Sequence, residues 1–163
     1  MMIKSIFFLV FLTISGIVAA QEMVHDEHDH EHDHHRHEVG IGNSPVYFVN
    51  EKILAYGLHL HYIYNIPDSK FGMGLGYERI FDEHKHNTIG VVGNYRPVEN
   101  VSLSLSPGVA FEGNTFSEPK FAVHFESAYE FEIKNFHLGP VFEVAYDQED
   151  VHISLGVHVG IGF

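Results

Sequence analysis

Residues 151–163 read VHISLGVHVGIGF, and two rows of opposite character interleave in this stretch. Val151, Ile153, Leu155, Val157, Val159, Ile161 and Phe163 form one row; His152, Ser154, Gly156, His158, Gly160 and Gly162 form the other. Strict period-2 alternation places successive side chains on opposite faces of a β-strand. The apolar face is bulky and unbroken to the terminal Phe, while its reverse is small, glycine-rich and carries imidazoles. That pairing suits a barrel turned inside out, with hydrocarbon outside and polar groups along the axis.

The alternation recurs upstream in seven further segments, 38–48, 53–66, 71–81, 87–96, 101–112, 120–132 and 136–146. The connectors VNEK, PDSK, DEHKH, PVEN, EGNTFSEP, IKN and DQED between them are short and rich in turn formers. No helical period appears after residue 20. The pattern predicts an all-β fold, an eight-stranded antiparallel up-and-down barrel whose strands are long enough to cross a bilayer.

Two closures are open to such a chain. A soluble periplasmic barrel of the calycin type would bury the Phe, Leu and Tyr rows and wet the other face. Eight strands, however, leave an interior just wide enough for ordinary side chains, which an aromatic row on nearly every strand would overfill. Gly72, Gly74 and Gly76 would weaken an exposed face without return, whereas in a narrow lumen they make room for bulkier neighbours. A lipid-facing Lys or Arg costs about 2–4 kcal/mol at the midplane, and the apolar rows carry almost no charge there. Tyr62, Tyr64, Tyr77, Tyr129 and Tyr146 fall near the strand ends, where aromatic girdles form. The transmembrane closure is therefore expected, with a polar His/Glu lumen.

The 163 residues suffice for one domain. Residues 1–20 combine a basic Lys4, an apolar run from Ile6 to Val18, and Ala19-Ala20, the features of a cleaved secretory signal. Residues 21–38 form a low-complexity arm in which His25, His28, His30, His32, His34, His35 and His37 alternate with Asp and Glu. With nothing to bury, the arm is expected to be disordered, and imidazoles interleaved with carboxylates are ligands for borderline metals. The barrel is expected over 39–163. There is no cysteine, so neither a disulfide nor a lipid-attachment thiol is available. A net charge of −13 speaks against nucleic acid and favours cations as partners.

The signal, the eight amphipathic strands and the closing HVGIGF resemble the small eight-stranded outer-membrane β-barrel proteins of Gram-negative bacteria. The resemblance covers nearly the whole mature chain apart from the His arm. It implies a cell outer-membrane location, contact with outer-membrane lipid, both termini in the periplasm, and the connectors DEHKH, EGNTFSEP and DQED outside. It implies no activity.

Chemistry is therefore sought in the lumen. A symmetric register about a turn at Ile133 and Lys134 sets His124 beside Glu143 and Glu130 beside His137. A turn through Pro67 to Lys70 sets His59 opposite Glu78. Directly opposed residues have Cβ atoms about 5 Å apart, within reach of a hydrogen bond or a shared ion. The expected metal centre is His124, Glu126, Glu143 and His152, with His59, His61 and Glu78 contributing across the lumen, and Glu130, His137 and His158 sharing the same face. Arg96 is a further ion-pair partner. Asp82, Glu83, His84, His86, Asp147, Glu149 and Asp150 would form an acidic outer rim.

The function expected on these grounds is non-enzymatic binding of a divalent transition metal, zinc first, with copper, nickel or cobalt as alternatives, in uptake, buffering or homeostasis. A periplasmic metal-handling partner is the natural counterpart. A structural surface barrel with a self-satisfied polar plug is the main rival. His152, Ser154 and Glu143 have the residue types of a hydrolase, resembling the lipid A deacylases, but alternation points them inward rather than to lipid.

Overall fold

A computed structural model describes residues 35–113, 116 and 118–163. The expected signal and arm residues His25, His28, His30, His32 and His34 lie outside the described residues. Nine strands follow one another: β1 (His37–Phe48), β2 (Ile53–Asn65), β3 (Phe71–Ile80), β4 (His86–Val98), β5 (Val101–Glu112), β6 (Lys120–Tyr129), β7 (Phe131–Ile133), β8 (Phe136–Asp147) and β9 (Val151–Gly162). Among the described residues there is no helix. The short β7 continues the line of β6 beyond Glu130, so these strands make the eight staves of one barrel. Each stave pairs antiparallel with its sequence neighbour, β6 with β8, and β1 closes on β9. His37, assigned above to the arm, and Glu38, read both as the last arm residue and as the start of the first segment, are the first two residues of β1.

Local chemistry accounts for the irregularities. The β1–β9 ladder lapses at Ser44 and Pro45, where Pro45 has no N–H to donate. A register shift in the β4–β5 ladder falls between Tyr95 and Val98, at Arg96 and Pro97. Such a bulge re-aims a side chain, and Arg96 is directed into the barrel, with 7 % of its surface exposed.

The apolar rows face outward. Leu75 and Leu155 are more than 60 % exposed, while Glu126 and Glu143 are buried. This inverts the pattern of a soluble barrel, and it excludes the calycin-type closure. Aromatic rings gather outside at both ends. Phe71 stacks near Tyr95 (5.0 Å) and Tyr129 near Phe131 (5.0 Å) at the end holding the termini. Tyr56 meets Phe81 (5.8 Å) at the opposite end. The lumen is polar along most of its length, with an apolar layer, Val46, Phe48 and Ile80, near the end away from the termini, and the buried side chains of Ile63 and Val92 outside that layer.

Candidate metal centre

Inward-facing positions of seven staves supply the interior groups. They comprise the carboxylates of Glu38, Glu78, Glu126, Glu130 and Glu143, the imidazoles of His59, His61, His124, His137, His152 and His158, and the guanidinium of Arg96. One permanent cation faces five carboxylates.

The register expected for β2 and β3 is observed, with His59 opposite Glu78. That expected for the β6–β8 hairpin is corrected by two residues. The turn lies at Lys134-Asn135, with Lys134 at φ 59°, and Ile133 remains in the ladder opposite Phe136. Glu126 therefore faces Glu143, His124 faces Ala145, and His137 faces Glu132 rather than Glu130. A one-residue move of the turn displaces every pair by two, which conserves the faces. All the expected groups thus remain in the lumen; those of this hairpin have different ladder partners, and His124 still reaches Glu143 diagonally.

In the half of the lumen away from the termini, four side chains converge. His124 Nδ1 lies 3.2 Å from Glu143 Oε1 and 3.6 Å from Glu78 Oε2. His152 Nε2 lies 3.6 Å from the same Glu78 oxygen and 3.9 Å from Glu143 Oε1. One ligand atom from each of Glu78, His124, Glu143 and His152 falls within 4.8 Å of every other. Glu78 Oε2, His124 Nε2 and both ring nitrogens of His152 are buried without a hydrogen-bond partner. A cavity of about 10 Å³ adjoins the group, lined by His59, Gly76, Glu78, Thr88, Gly90, Ser106 and His124. That volume is about one water-sized sphere. Glu126, expected in this centre, instead pairs with His59, whose Nδ1 is 3.1 Å away, and groups with His59 and His61. Glu78 takes its place because closure carries β3 across the lumen to β6 and β9.

Towards the termini, Arg96 donates from Nη2 to Glu38 (2.5 Å) and from Nη1 to Glu130 (2.6 Å). Glu38 was not among the expected site residues, because it also ends a low-complexity run. The advance signals were its place at the head of segment 38–48 and its parity with Gly40 and Gly42 on the inward row. His61 and His137 approach Glu38 Oε1 at 3.6 and 3.3 Å, and His158 approaches Glu130. On the β4–β5 wall, by contrast, Asn94 donates to the hydroxyls of Ser102 (2.6 Å) and Ser104 (3.0 Å).

The rim acids mostly serve the loops. Asp147 accepts from the Glu149 and Asp150 amides, and Asp150 from Asn50 and Glu51. Lys120 bridges Glu149 and Glu112, holding the Glu149 carboxyl below its ordinary range, so this mouth already contains a cation. Asp82 accepts from the His86 amide (3.1 Å) and sits 2.6 Å from its Nδ1. Burial alone would raise the Asp82 pKa, but these His86 interactions bring it below the usual aspartate value. A lowered folded pKa stabilises the β3–β4 turn above about pH 3.9 and ceases to do so as pH falls through the lower folded value. His86 amide exchange in Asp82→Ala should accelerate roughly fivefold at pH 7, matching about 1 kcal/mol for the lost bonds. Compared at the same pH, the protection of the wild type relative to Asp82→Ala should vanish only below about pH 4.

The trio His152, Ser154 and Glu143 lies inside, with Ser154 buried opposite Glu143.

No family profile and no curated sequence matches the chain. Three solved barrels are similar to it in structure. The attachment invasion locus protein Ail of Yersinia pestis superposes with a TM-score of 0.58 at 16% identity, covering 80% of this chain and 99% of that one. Neisserial surface protein A gives 0.56 at 12%, covering 78% and 96%. The N-terminal β-barrel domain of Pseudomonas aeruginosa OprF gives 0.50 at 18%, covering 77% and 97%. Together with the outward apolar rows and the closed ladder, these likenesses establish that the chain has the fold of the small eight-stranded outer-membrane β-barrels.

Proposed function

We propose that this protein is an outer-membrane barrel that binds a divalent transition-metal ion, with zinc the first candidate, at Glu78, His124, Glu143 and His152. The His-rich arm, hanging in the periplasm, collects or buffers the same ions. The observation that carries this reading is the convergence of four potential ligands, three of them with unpartnered buried atoms. A self-satisfied plug would pair these atoms, because each orphan costs about 1–3 kcal/mol. Two imidazoles and two carboxylates suit zinc, which takes four nitrogen or oxygen ligands, and copper, nickel or cobalt share the donor set. The filled lumen favours holding an ion over conducting one, which fits a role in metal uptake, buffering or homeostasis beside a periplasmic metal-handling partner.

The test is the zinc dependence of barrel unfolding in the full chain, refolded in detergent. An ion held only by the folded lumen stabilises it by about 1.4 kcal/mol at ten times its Kd, whereas ions on the arm bind folded and unfolded chains alike. The Glu78→Gln, Glu143→Gln double variant should lose the share of this increment that comes from these four ligands, with their affinity falling more than about 100-fold, since even outer-shell changes cost 10–100-fold. Unfolding of the wild type that ignores zinc would discard the proposal.

A further inference from the structure

We propose that the termini half of the lumen holds a second divalent transition-metal site, centred on His158 and completed by Glu38 and His61, separate from the tetrad above.

The site is built around a pair of missing side chains. Gly40 and Gly160 are direct partners across the β1–β9 ladder, and both face inward. A Cβ on Gly40 would lie 2.4 Å from Nε2 of both His61 and His158, and one on Gly160 would lie 2.0 Å from Nε2 of His137. Three imidazoles therefore project their nitrogens into space that only glycine leaves open. The His61 and His158 rings stack at 4.9 Å, and His137 lies 5.0 Å from His158 on the other side.

These rings are buried, and the nitrogens they turn to the chamber make no hydrogen bond. His61, His137 and His158 expose 5, 7 and 2 % of their surface, and His61 Nε2, His137 Nε2 and both nitrogens of His158 have no hydrogen-bond partner. Arg96 explains what they face. It takes Oε2 of both Glu38 and Glu130, which leaves Oε1 of each carboxylate turned towards the imidazoles. Glu38, His61 and His158 place ligand atoms within 4.8 Å of one another, and Glu130, His137 and His158 do the same. His158 belongs to both triads. A neutral imidazole has one lone pair, so the chamber takes one ion at a time. Two imidazoles, one carboxylate and a water complete a four-coordinate shell for zinc or cobalt, and two carboxylates against one guanidinium leave a negative charge for the ion to offset.

Cobalt(II) tests this on the full chain in detergent micelles. Four-coordinate cobalt absorbs strongly in the visible, whereas six-coordinate cobalt is only weakly coloured. The wild type should bind two strongly absorbing equivalents. His158→Gln should lose one, as should Gly40→Ala, which fills the cradle of His61 and His158 without removing a ligand. The Glu78→Gln, Glu143→Gln variant should keep one, and this holds the test open even if the His158 and Gly40 variants do not fold. No strongly absorbing equivalent in that double variant, or a count unchanged by His158→Gln, overturns the second site. A count unchanged by the double variant but lowered by His158→Gln instead removes the tetrad and leaves this site standing.

Discussion

Replacing Arg96 with Met should destabilise the barrel by about 3–5 kcal/mol, the cost of breaking a buried charge network from one side. Glu38 and Glu130 are nearly without solvent exposure, and Arg96 is the permanent cation bonded to both. Methionine fills much of the volume but strands two carboxylates in a space that admits little water. The control is Glu38→Gln, Glu130→Gln added to Arg96→Met, which should recover most of the loss, because replacing every member of a buried ionic network is often near neutral. Urea midpoints in detergent micelles, compared at equal slope, measure both effects. A single substitution costing less than about 1 kcal/mol would mean that water, not Arg96, balances the two carboxylates. The second site adds a corollary: with the guanidinium gone, zinc should stabilise Arg96→Met more than it stabilises the wild type.

Much of this architecture is legible in the chain because period 2 is a rigid code. Once Val151, Ile153 and Leu155 are set outward, His152 and Ser154 have no choice but the lumen. The strands observed begin and end within a few residues of those read from alternation and turn formers, and His59 opposite Glu78 follows from hairpin symmetry alone. Parity survives even where the turn is misplaced. The move from Ile133-Lys134 to Lys134-Asn135 changes which residue stands directly opposite Glu143, from His124 to Glu126, without sending any imidazole to lipid, and His124 still reaches Glu143 at 3.2 Å.

What alternation does not encode is contact across the axis. Hairpin symmetry relates adjacent staves only, while Glu78 on β3 meets His124 on β6 and His152 on β9 because the sheet closes with a particular stagger. Glu126, adjacent to His124 on the same row, is drawn instead to His59 for the same reason. Glu38 was hidden differently. It ends a run of His, Asp and Glu that reads as solvated chain, although it is the first inward residue of β1 and a partner of Arg96. The apolar layer of Phe48, Val46 and Ile80 sits where the strand parity allows, and it caps the tetrad through Phe48, whose ring lies 5.3 Å from that of His152.

Leu75→Arg should cost about 2–4 kcal/mol in a bilayer, the penalty for a guanidinium at mid-depth on a lipid-facing strand. Leu75 stands midway along β3, 62 % exposed, opposite Tyr62 and Val91 on the neighbouring staves. Leu54 is more exposed still, at 72 %, but it is the second residue of β2 and lies near the end of the barrel. Leu54→Arg should therefore cost only about 0–1 kcal/mol, since a long cation there reaches the interface. Exposure alone predicts the reverse order, so depth in hydrocarbon is what the pair isolates. Folding into short-chain lipid vesicles, followed by urea titration, measures the difference directly. Equal and small penalties at the two positions would place the Leu and Phe rows in water, and the lumen could then no longer be described as the only polar environment open to its imidazoles. A depth-dependent gap of about 2 kcal/mol fixes the hydrocarbon on the outside and explains why the carboxylates and imidazoles must satisfy one another, or an ion, within.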